Sequence, residues 1–117
     1  MNFRRHNQTR IRKLARGAAE HVLSSVESFN LVTDKERDIL TDITFRLLVK
    51  YFNGRELRLL SEDYLIAEGA DTLIEHNKDI VNASAMAAAV AQIAAELGKF
   101  FVKHDTKETG TEQGGKP

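Results

Sequence analysis

Residues 78–103 read KDIVNASAMAAAVAQIAAELGKFFVK, and their spacing decides the fold. Ile80, Ala83, Ala87, Val90, Ala94, Leu97 and Phe101 recur at alternating steps of three and four, the period of an α-helix with one apolar seam. Nothing in this stretch alternates polar and apolar as a half-buried strand would. The same helical period returns upstream, and strand-like alternation appears nowhere at length. With Pro117 the only proline, no ring interrupts a helix in the body of the chain. The sequence therefore predicts an all-α fold, a compact bundle of four to five helices.

Working outward, a first helix is expected from about Thr9 to Phe29, with Ile11, Ala15, Ala18, Val22, Val26 and Phe29 on one face. A second is expected to start at Thr33-Asp34-Lys35-Glu36, a capping-box pattern preceded by Val32, and to stop at Asn53-Gly54. Its apolar residues occupy two edges, so it should sit centrally. The region Arg55 to His76 fits one bent helix or two short ones, with Ser61-Glu62-Asp63 able to cap a new start and Gly69 weakening the middle. The fourth helix should run from about Lys78 to Lys103. Beyond His104 no apolar residue occurs, which predicts a single domain over 1–104 and a disordered C-terminal tail over 105–117.

Charge is segregated. Arg4, Arg5, Arg10, Arg12, Lys13 and Arg16 lie in the first sixteen positions without one acidic residue, although the whole chain has 17 Lys+Arg against 17 Asp+Glu. The basic N-terminal helix thus stands against an acidic remainder. Arg5, Arg10, Arg12, Lys13 and Arg16 fall opposite the apolar side of helix 1, where they face solvent, an acidic protein partner or the phosphates of a nucleic acid. No aromatic residue interleaves to stack on bases apart from Phe3, and the later helices show no helix-turn-helix spacing.

The chemical inventory is thin. There is no cysteine, and His6, His21, His76 and His104 lie in four different segments without metal-ligand spacing. His76 is read as a partner of a helix C-terminus and His21 as a packing residue. The isolated glycines make no phosphate-binding loop, and the two acidic clusters lie at predicted helix starts, where carboxylates favour the macrodipole. No enzyme, cofactor or metal is expected. The chain lacks a secretory pattern at its front, and Asn82, Gln92, Glu96 and Lys99 make Ile80 to Val102 a poor membrane span, so a cytoplasmic protein without membrane insertion is expected.

The alanine-rich fourth helix is over-supplied with apolar residues for an outer helix, which suggests a homodimer. Ala85, Ala89, Met86, Ile93 and Phe100 are the expected self-association residues. The functional expectation is a small non-enzymatic, regulatory protein of adaptor, chaperone or inhibitor type, binding a protein partner through a helical surface. The alternative is a nucleic-acid-associated regulator using the basic face of helix 1.

Overall fold

The capping box at Thr33 forms as its sequence dictates. Glu36 N–H donates to Thr33 Oγ1 (3.2 Å), while Thr33 N–H and its hydroxyl donate to Glu36 Oε1 (2.9 and 3.0 Å). A computed structural model describes residues 2–54 and 61–114, with side chains described for 8–53 and 61–102. Among the described residues the chain forms four α-helices and no strand: α1 Asn2–Leu23, α2 Asp34–Gly54, α3 Glu62–Glu75 and α4 Ala83–Gly114. Two short 3₁₀ turns, Glu27–Leu31 and Asn77–Asp79, join α1 to α2 and α3 to α4. This is the all-α four-helix bundle expected from the periodicity.

Helix α1 ends earlier than its apolar period implies. The Ser24 hydroxyl donates to the His21 carbonyl (2.7 Å), and Val26 is extended at φ −94°, ψ 108°. Serine offers the backbone a local hydrogen bond that competes with the helix. Val26 and Phe29 still pack against the core from beyond the break, so the hydrophobic period outlives the helix that first carried it. The 3₁₀ turn is pinned to α4 by a reciprocal pair. Ser28 N–H donates to Gln92 Oε1 (3.1 Å), and Gln92 Nε2 donates to Ser28 Oγ (3.0 Å).

Helices α2 and α4 run in the same direction. Their N-terminal ends meet through Glu36, whose second oxygen, Oε2, accepts from Val81 N–H and Asn82 N–H at 2.8 Å each. Their far ends meet in an aromatic cluster, where Tyr51 stacks on Phe101 at 4.4 Å and Phe52 and Phe100 close edge-on. Leu40, Leu48, Leu65, Met86, Ile93 and Leu97 fill the core between them. Helix α3 begins at Ser61, whose Oγ accepts from Tyr64 N–H (3.2 Å), and is one continuous helix. Leu57, Leu59 and Leu60 lie outside the described residues. Gly69 is buried where α3 crosses Val90 of α4.

Asn82 caps α4, accepting from Ala85 N–H at 3.1 Å. The backbone stays helical to Gly114, where the sequence predicts a structureless tail after His104. The reason is that extending an existing helix costs little once its nucleus is formed, and no proline intervenes before Pro117. The absence of apolar residues after His104 still says that this extension adds no core. A chain ending at His104 is expected to melt within about 2 °C of the full chain. A large drop in a thermal melt would show that residues 105–117 dock on the bundle.

Candidate functional site: the basic face, the α2 groove and the outer face of α4

The cationic stripe of α1 is divided by the fold. Arg10, Arg12, Lys13 and Arg16 are all exposed, and the guanidinium groups of Arg12 and Arg16 sit over the Phe45 ring of α2, at 5.9 and 6.0 Å from its centroid. A cation over an aromatic face is held by the ring quadrupole, most effectively where water is partly excluded. Two of the expected phosphate contacts are thereby drawn toward α2. The side chain of Arg5 lies outside the described residues. Nothing in sequence spacing links Arg12 to Phe45, 33 positions later, so this arrangement was not legible before folding.

Beside Phe45 a groove of about 650 Å³ runs over α2 between α1 and α3. Helix α2 lines it with Phe45 and Val49 and also with Asp42, Arg46 and Lys50, while Arg12 of α1 and Glu68, Asp71 and Glu75 of α3 line its sides. Arg46 pairs with Asp42 at 3.0 Å and with Glu75 at 3.9 Å, and Lys50 pairs with Glu68 at 3.4 Å. These exposed pairs tie the groove edge with modest energy. Arg12 and Asp71, on opposite walls, hold no ion pair among the described residues.

The face of α4 expected for self-association is largely taken up by the chain's own core. Met86, Ala89 and Ile93 are enclosed in the intrachain core, while Ala85 and Phe100 are half-buried, the latter within the aromatic cluster. Ala83 and Ala87, expected in the seam, are exposed. The helix turned toward its own bundle the face carrying the largest side chains, Met86, Ile93, Leu97 and Phe101, because these remove the most apolar area from water. On the opposite side lie Ser84, Ala88, Ala91, Ala95, Gly98 and Val102, spaced by alternating four and three. Of these, Ser84, Ala88, Ala91 and Val102 are exposed, and Ala95 and Gly98 half-buried. A side chain added at Gly98 would meet nothing within 4 Å, so no intrachain packing requires glycine there.

Ala83–Val102 is long and apolar enough to cross a membrane by length and composition alone, with mean hydropathy 1.4. The buried part of that segment, 39% of it, is the core side of a bundle helix, a common source of such a signal. Among the described residues no group of three or more His, Asp and Glu is placed to hold a metal ion. His21 is exposed. His76 ends α3, donating its backbone N–H to the Thr72 and Leu73 carbonyls, with its Nε2 buried and unpartnered among the described residues.

The most perturbed ionisable group is Glu36, which is fully buried. Burial pushes its carboxyl up. Hydrogen bonds from the N–H groups of Asn82, Thr33 and Val81 and from the Thr33 hydroxyl outweigh that and hold it at about 2. Such a shift can mark a catalytic group. Here both oxygens are consumed by helix-capping donors, so Glu36 is a structural clamp. Comparison with protein-family models, curated proteins and solved structures finds no match, so function has to be argued from these surfaces.

Proposed function

We propose that the chain is a small non-enzymatic, regulatory protein that binds protein partners through its helical surfaces and pairs with a second copy along the outer face of α4. The observation that carries this reading is the heptad-spaced line of small and apolar residues Ser84, Ala88, Ala91, Ala95, Gly98 and Val102, four of the six exposed and none of them charged. Small side chains allow a second helix to approach to about 8–10 Å. An antiparallel pair opposes the two macrodipoles favourably and lets a two-fold axis place the same line against itself. Such a seam, about 30 Å long, is smaller than a standard protein interface, so association on the order of micromolar is expected.

Ala91→Arg tests it. The site is exposed, so the monomer should change in stability by less than about 0.5 kcal/mol. In sedimentation equilibrium the parent chain should populate dimer at micromolar concentration and the variant should run as monomer. A parent at monomer mass throughout that range removes the pairing. The nucleic-acid reading has less support: Arg10, Arg12, Lys13 and Arg16 are all exposed, but Arg12 and Arg16 are held over Phe45, and no aromatic residue among the described side chains of α1 stands beside them to stack on bases.

A further inference from the structure

Asparagine is followed by glycine once in the chain, at Asn53-Gly54, whereas Asn30, Asn77 and Asn82 precede Leu31, Lys78 and Ala83. The pair ends α2, and Asn53 is exposed. Glycine has no Cβ, so its backbone nitrogen is open to close approach and its peptide reaches conformations denied to other residues. The Asn82 amide is held as a helix cap, its Oδ1 accepting from Ala85 N–H at 3.1 Å. The Asn53 amide has no partner among the described residues. The last turn of a helix opens at little cost, because its final carbonyls lack intrahelical partners, and opening lets the Gly54 nitrogen swing toward Asn53 Cγ. The site also borders the clasp between α2 and α4. Phe52 and Tyr51 immediately precede it, with Tyr51 stacked on Phe101 at 4.4 Å and Phe52 edge-on to Phe100 at 6.2 Å.

We propose that Asn53 is a site of spontaneous deamidation, and that its conversion loosens the aromatic clasp between α2 and α4. The Gly54 nitrogen gives up its proton and attacks Asn53 Cγ. The N–Cγ bond forms, the Cγ–Nδ2 bond breaks, and ammonia leaves with the proton, closing a succinimide ring. Water then opens either ring carbonyl to give aspartate or isoaspartate. Water is the one other reactant, and nothing is oxidised or reduced. Both products place a carboxylate at the negative end of the α2 macrodipole, where an anion is unfavourable. Isoaspartate also routes the backbone through the side-chain methylene, one residue from Phe52. Lys50, three residues back and 3.4 Å from Glu68, is drawn toward the new charge and away from α3.

The test holds the full chain for several weeks at mildly alkaline pH, then digests it with trypsin and reads each asparagine by mass spectrometry. Cleavage after Lys50 and Arg55 isolates Asn53 in the peptide Tyr51 to Arg55. That peptide should gain the mass of OH over NH₂ and split into aspartyl and isoaspartyl forms, while the peptides with Asn30 and Asn77 stay nearly unchanged. Gly54→Ala and Asn53→Gln should each bring position 53 down to the level of those internal controls. The glutamine variant retains Gly54 and slows ring closure by enlarging the ring, so it serves if the alanine variant misfolds. Converted protein, separated by ion exchange, should melt about 2–4 °C below the parent. Conversion at Asn53 no greater than at Asn30 and Asn77, or conversion that persists in both variants, overturns the site. A converted protein that melts with the parent overturns the loosening of the clasp.

Discussion

Replacing Glu36 by Gln is expected to destabilise the fold by about 3 kcal/mol, the largest effect foreseen for any single polar substitution in the chain. The side chain is fully buried and accepts four hydrogen bonds, two on each oxygen: from the N–H and hydroxyl of its box partner Thr33 on Oε1, and from the N–H groups of Val81 and Asn82 at the start of α4 on Oε2. Glu36 itself completes the box by donating its backbone N–H to Thr33 Oγ1. In Gln one oxygen becomes an NH₂ that points at backbone donors, so at least one helix start loses its acceptor. A carboxyl lowered from 4.5 to about 2 corresponds to about 3 kcal/mol at neutral pH. The sign follows from the depressed value. This stabilisation is complete above the unfolded-state value near 4.5 and fades as pH falls toward 2. Urea melts of the parent and of Glu36→Gln should therefore differ most at pH 7, with the gap closing through that window. Glu36→Asp keeps the charge but shortens the reach by one methylene, and should fall between them. A variant within about 0.5 kcal/mol of the parent at pH 7 would show that the clamp contributes nothing.

Gly69→Ala should also destabilise, against the trend for glycine in a helix. Propensity alone favours Ala by about 1 kcal/mol. A Cβ on Gly69, however, would lie 2.6 Å from Val90 Cγ1 and 3.5 Å from its Cγ2. Val90 is buried on α4, and a β-branched side chain in a helix has essentially one χ1 rotamer, so it cannot swing aside. Overpacking of this kind costs about 1–3 kcal/mol, which outweighs the propensity gain and leaves a net loss of about 1–2 kcal/mol. Adding Val90→Ala removes the obstructing methyls. In a double-mutant cycle the pair should be less destabilised than the sum of the single changes by about 1 kcal/mol. If Gly69→Ala raises the melting temperature, α3 and α4 are not in close contact at this point.

These two sites mark where local pattern stopped being informative. Thr33 and Glu36 stand three residues apart, so one oxygen of Glu36 was readable from the sequence as half of a capping box. Its other oxygen serves Val81 and Asn82, more than forty residues later, and only the parallel alignment of α2 and α4 creates that contact. Gly69 registered as a weak point in a helix because the requirement for it lies on another element. Ser61 was legible for the opposite reason, since its role is settled within a turn of helix. The direction of α4 was the hardest to read. With apolar residues on both sides, a heptad drawn through Ala83 and Ala87 fits nearly as well as the observed face through Met86, Ile93 and Leu97. Only the volume the core had to fill distinguished them.

Pairing along α4 is the central functional claim, and single-cysteine scanning tests it most directly because the chain has no cysteine of its own. Cysteine is placed in turn at Ser84, Ala88, Ala91, Ala95 and Val102, with exposed Glu20 as the control, and disulfide-linked dimer is quantified after mild oxidation. In an antiparallel two-fold pair only residues at the axis meet their own copies closely enough to bridge. Cross-linking should therefore peak at Ala91 or Ala95 and decline toward Ser84 and Val102. Yields no higher than the Glu20 control at every position would contradict the account.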